Sequence, residues 1–190
     1  MNIGKTALVG VVAGVAITMA FGVAPASADG GDHGDHGDHE VVNIRAIDKC
    51  DPVSFNAALG DGACTPVRPV KNPVTFGQLL ASFDPVAHTA SPAWRFSKTM
   101  IEIDKGDTIH VTNVGGEPHS FTEVPFFGGG CVDQLNAPLG LTMVAANCPA
   151  DFATVRPPGG SADISGLSAG EHKFICVIHP WMKATVEVDD

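Results

Sequence analysis

The chain has 190 residues, 44% of them hydrophobic and 17% charged, with a formal net charge of −10. That length suffices for one domain with a real core, and the apolar-to-charged balance is that of an ordinary globular protein. An acidic chain lacks the basic footprint that phosphate recognition needs, so no nucleic acid is expected as a partner.

The first 28 residues stand apart, with Lys5 as their sole charge. An apolar run from Ala7 to Val23 ends in "APASA", and Ala26-Ser27-Ala28 fits a small-residue cleavage site. Residues 1–28 therefore read as a signal peptide cut before Asp29, although the run is slightly long, as a retained anchor would be. The mature chain is expected to be exported, periplasmic or extracellular, with no transmembrane segment. Losing Lys5 leaves ten basic residues against 21 acidic, a net charge of −11. A partner steered by charge should present a basic face.

Residues 29–40 read "DGGDHGDHGDHE", with Gly-Asp-His three times, ending at His33, His36 and His39. Nothing there can be buried, so a disordered tail is expected. It is a solvated spacer or a weak metal collector, since imidazole and carboxylate both ligate divalent ions.

Residues 41–91 form an extension. It opens on a strand-like "VVNIRAI", carries Cys50 and Cys64, passes a rigid "PVRPVKNP", and offers one short helix over Thr75–Phe83. Residues 92–190 change texture. "TMIEI", "TIHVTN", "SFTEV", "SADIS", "HKFIC" and "KATVEV" read as short strands between turns. Glycine (22) and proline (14) are abundant, which suits many turns. The fold class is all-β, an antiparallel sandwich or barrel. An irregular insert from Pro125 to about Gly160 carries Cys131 and Cys148.

An exported chain meets an oxidising compartment where disulfides persist. Four of the five cysteines lie in loop-like segments, and four cysteines allow three pairings. The local pairing, Cys50–Cys64 and Cys131–Cys148, is expected, each bridge contributing roughly 3 kcal/mol. Cys176 is left over, within "CVIHPWM", with His179 and Met182 following at three-residue steps. Thiolate, imidazole and thioether form a soft set that selects copper, and a trigonal His₂Cys site with a long axial Met is the blue-copper pattern. Outside the tail and this turn lie His88, His110, His119 and His172. His110 alternates with apolar Ile109 and Val111 and should face away from them. His88 sits in a polar loop. His172 is four residues before Cys176, roughly 13 Å along a strand, too far to share a metal. His119, at a turn-to-strand junction in "NVGGEPHSFTEV", completes the set by elimination and context.

"NVGGEPHSF" followed by "CVIHPWM" resembles the cupredoxin family of small blue copper proteins, with the final spacing similar to plastocyanin- and amicyanin-like members. The resemblance covers about Pro92 to Asp190. It implies a Greek-key β-sandwich of eight strands with one type 1 copper ion at one end, held equatorially by His119, Cys176 and His179 and axially by Met182. Three features depart from the family pattern. They are the extension, the cysteine-bridged insert, and Trp181, which stands where it would cover the exposed edge of His179 or pass electrons through it.

The implied function is single-electron transfer between redox partner proteins. The alternative is copper binding or delivery with incidental redox activity, which the Gly-Asp-His tail favours. No enzymatic activity is expected, since the chain has no His-x-His pair and no second Cys-His motif for further copper centres.

Overall fold

The computed structural model describes residues 39–190. The expected signal peptide and most of the expected tail therefore lie outside the described residues. No helix among the latter is long and apolar enough to cross a membrane.

Alternation of apolar and polar residues sets the strands. In β3 (Met100–Asp104) Ile101 and Ile103 point inward; in β4 (Thr108–Asn113) Ile109 and Val111 do. β8 (Lys183–Asp189) buries Ala184, Val186 and Val188. The remaining strands are β1 (Val41–Ile47), β2 (Arg95–Phe96), β5 (Thr122–Val124), β6 (Ser161–Ile164) and β7 (Gly170–Ile175). They form two four-stranded sheets, β2-β1-β4-β6 and β3-β8-β7-β5, packed as a Greek-key sandwich. Phe96, Phe121 and Phe174 interlock between the sheets, with Phe121 stacked on Phe174 at 4.4 Å and Phe96 edge-on to Phe121 at 4.8 Å. Such pairs add about 0.5–1.5 kcal/mol beyond the area they bury.

The all-β sandwich is as expected, but the sheets are mixed rather than antiparallel. β1 runs parallel to β4, and β3 parallel to β8. Parallel neighbours need long crossover connections, and here the intervening chain is long enough to carry the helices and the other sheet's strands.

The segment 41–91 is woven into this architecture. β1 lies between β2 and β4, and Ile44, Ala46, Phe55 and Leu79 belong to the same core as β3 and β8. Beyond β1 the chain forms two short helices. α1 (Pro52–Leu59), not anticipated from sequence, starts where the Asp51 side chain accepts from Ser54 N and Pro52 takes the first turn. α2 (Phe76–Ala81) falls within the expected helix and carries a capping box between Thr75 and Gln78. Both disulfides have the expected pairing, Cys50–Cys64 and Cys131–Cys148, leaving Cys176 free and buried. In the insert, Asn136 of α3 (Asp133–Asn136) exchanges two hydrogen bonds with Gly130.

Candidate metal centre

The site forms where two loops meet at one end of the sandwich. The first, Val114–His119, leaves β4. Asn113 staples it: its amide donates to Glu117 O at 2.8 Å and Arg156 O at 2.9 Å, and its oxygen accepts from Gly115 N. His119 also exchanges two backbone bonds with Arg156 of the insert. The second loop leaves β7 at Cys176 and enters β8 after Met182. Cys176 N donates to Met182 O at 3.1 Å, and Met182 N to His179 O at 2.9 Å, closing a tight turn. Ser120 locks the loops together by accepting from Val177 N at 2.9 Å.

His119, Cys176 and His179 thereby converge. His119 Nδ1 and His179 Nδ1 are 3.3 Å apart, and each lies 3.7 Å from Cys176 Sγ. All three are buried, at 1%, 0% and 2% exposure. An ion with zinc-like bonds of about 2.0 Å to nitrogen and 2.3 Å to sulfur, coplanar with its donors, would hold the nitrogens about 3.5 Å apart and the sulfur about 3.7 Å from each. The donor triangle therefore fits a first-row transition ion with little rearrangement. Met182, 1% exposed, is buried at the end of the same turn.

The surroundings set the protonation chemistry. Burial opposes charge on both imidazoles, yet both are raised. The hydrogen bond to Asp48 and the Cys176 sulfur outweigh burial at His119. At His179, the neighbouring Glu117 charge and the Cys176 sulfur lift it to about 10. Burial raises the Cys176 thiol, but the two imidazoles beside it bring it well below the ordinary range. The sulfur also accepts from Ser120 N at 3.4 Å, a backbone donor next to His119.

Sequence reasoning missed the carboxylates behind both histidines. Asp48 Oδ2 accepts from His119 Nε2 at 2.8 Å. Glu117 Oε2 lies 3.7 Å from His179 Nε2 and accepts from Trp94 Nε1 at 2.6 Å. The signal available for Glu117 was its place two residues before His119; for Asp48, 71 residues away, there was none.

His88, His110 and His172 stay apart from this cluster. His110 bonds Asp163, and His88 bonds Leu139 O from an exposed loop. His172, half-buried, holds Glu123 and Ser168 O.

One expectation fails: His179 has no exposed edge. α1, α2 and the insert rise around it, leaving an apolar cleft of roughly 380 Å³ with Phe55, Leu79, Leu135 and Ile178 among its walls and His179 and Glu117 in its lining. Trp181 packs edge-on to His179 at 5.2 Å and to Phe83 at 5.8 Å, and its Nε1 is buried without a partner among the described residues. Phe55, Leu79, Phe83 and Leu135 come from the segment 41–91 and the insert, whereas Ile178 and Trp181 belong to the turn that carries His179.

No family model matches the chain, and no curated protein matches it. Solved cupredoxin structures are similar to it. A purple cupredoxin from Nitrosopumilus maritimus is 15% identical, covering 78% of this chain and 99% of its own, with a TM-score of 0.40. A methionine-to-alanine mutant of amicyanin in its Cu(I) form is 17% identical over 50% of this chain and 73% of its own, with a TM-score of 0.33. A reduced tryptophan-to-tyrosine mutant of amicyanin is 20% identical with the same coverages and a TM-score of 0.34. These superpositions are partial.

Proposed function

We propose that this chain is an exported cupredoxin-like protein that binds one type 1 copper ion through His119, Cys176, His179 and, more weakly, Met182, and carries single electrons between redox partners without catalysing a reaction of its own. The observation that supports this most is the buried triangle of two Nδ1 atoms and one thiol sulfur, which offers copper its preferred soft and imidazole donors. Copper, when bound, supplies a one-electron couple. The chain's own residues hold the donors still. Asp48 fixes one ring, Ser120 ties the loops, and the turn bonds from Cys176 to Met182 and from Met182 to His179 set the thiol and the second ring.

The approach from outside runs through the walls of the apolar cleft to His179, with Trp181 packed against the same ring. Redox encounters of this kind are small and transient. The acidic charge calls for a partner with a basic face.

Titrating the metal-free chain with Cu(II) and recording its optical spectrum tests the reading. An intense visible band, bleached by ascorbate, restored by oxidation and lost in Cys176→Ser, is expected. A colourless complex, or a band that survives Cys176→Ser, refutes it. In the delivery reading, removing residues 29–40 slows copper acquisition; in the carrier reading that deletion leaves the band and its redox cycling unchanged.

A further inference from the structure

Asp48 follows the end of β1, within the segment that looked like an appendage. Its side chain is fully buried, as is that of His119. Oδ2 accepts from His119 Nε2 at 2.8 Å, Gly116 N at 2.8 Å and Glu117 N at 3.0 Å, and Oδ1 from Cys50 N at 3.0 Å. The surrounding packing is close. A Cβ on Gly115 would overlap Asp48 Oδ2, and one on Gly116 would come within 2.6 Å of Cys50 Sγ. The Cys50–Cys64 disulfide and the bond from Thr65 N to Gly116 O at 2.7 Å clamp the same loop from the other side.

An ionised carboxylate only accepts hydrogen bonds. Facing Nε2, it selects the tautomer protonated there and leaves the Nδ1 lone pair free. That is the nitrogen turned toward Cys176 Sγ and His179 Nδ1. A buried anion one imidazole away from a metal also favours the more positive metal ion, because little solvent screens it. Glu117 adds a second anion near the other ring, but at 3.7 Å it is beyond hydrogen-bond range, so the tautomer argument belongs to Asp48.

We propose that Asp48 is a positioning residue of the metal centre: it fixes the tautomer and orientation of His119 and biases the site toward Cu(II) over Cu(I), which makes the segment 41–91 part of the centre. This rests on the copper reading above.

The test compares the wild-type chain with Asp48→Asn, an isostere that keeps an acceptor but removes the charge. Loss of such an outer partner typically weakens metal binding about 10–100-fold. The expected result is weaker Cu(II) binding of that order, a smaller change for Cu(I), and a raised reduction potential; each tenfold difference between the two oxidation states is about 59 mV for one electron. A merely structural Asp48 would change the melting temperature and leave the potential alone. Should Asp48→Asn not fold, imidazole ¹⁵N spectra of the wild-type Cu(I) form read the tautomer directly. A slowly exchanging proton on His119 Nε2 is expected, and a proton that exchanges freely with solvent overturns the assignment. If the wild-type chain shows no thiolate-to-copper band, the copper reading fails and this one with it. If the band is present and Asp48→Asn leaves both affinities and the potential unchanged, Asp48 alone is misassigned.

Discussion

Two buried tryptophans flank the site, and the same substitution should affect them very differently. Trp94 is 1% exposed, stacks on Phe55 at 5.8 Å, and donates its indole N–H to Glu117 at 2.6 Å. Trp94→Phe keeps the stacking ring but leaves a buried carboxylate one donor short. A hydrogen bond to a charged group is worth about 1.5–3 kcal/mol, and the vacated indole volume adds a cavity term of about 1 kcal/mol. The expected loss is about 3 kcal/mol, which for a domain of this size lowers the melting temperature by about 6–12 °C. Trp181 is also buried, at 8% exposure, but its N–H has no partner among the described residues. Trp181→Phe loses similar volume while removing an unsatisfied donor that costs about 1–3 kcal/mol. The terms oppose, and the net change should stay within about 1 kcal/mol. Calorimetry and urea unfolding of both metal-free variants measure the difference. Repeating Trp94→Phe in a Glu117→Gln background isolates the charged hydrogen bond, because the loss should shrink there. Equal destabilisation by the two tryptophan variants would refute the reasoning.

Further predictions concern the loop, the protons and the disulfide. Gly115→Ala drives a methyl group into Asp48 Oδ2 and should weaken copper binding at least tenfold while the sandwich still folds, as read by affinity and circular dichroism. Because His179 lies near 10, copper must displace its imidazole proton at neutral pH, and the upward shift of His119 acts in the same direction. Apparent Cu(II) affinity should therefore climb about tenfold per pH unit for each proton displaced and level off above about 10; a pH-independent affinity in a competing-chelator titration would contradict the site electrostatics. Replacing Cys50 and Cys64 together by alanine opens a loop of sequence separation 14 and should cost about 3 kcal/mol in thermal unfolding.

What could be read from the sequence follows from how rare and how local each signal is. Cys176, His179 and Met182 are uncommon residue types at three-residue steps on one turn, and chance seldom places a thiol, an imidazole and a thioether so close. His119 emerged because its rivals sit mid-strand or in polar loops, and the structure indeed sends His110 and His172 to other partners. α1 went unseen, although Asp51 and Pro52 form an ordinary helix start, because its apolar residues follow no clear helical stripe. The parallel pairing of β1 with β4 was also out of reach, because register between distant strands leaves no local mark.

By itself the sequence determined the strand-rich class and the donor types that converge, and it favoured the local pairing of the four loop cysteines without fixing it. Those properties depend on alternation, short loop closure and residue chemistry, all of which act over a few positions. Only the tertiary structure decided that Asp48 sits behind His119, that Glu117 and Trp94 stand behind His179, and that two helices and the insert bury a ring expected at the surface. Aspartate and glutamate are too common for sequence to single out, and their effect depends on distance and burial. The fold supplies both by weaving β1 into the sheet beside the strand that carries the His119 loop.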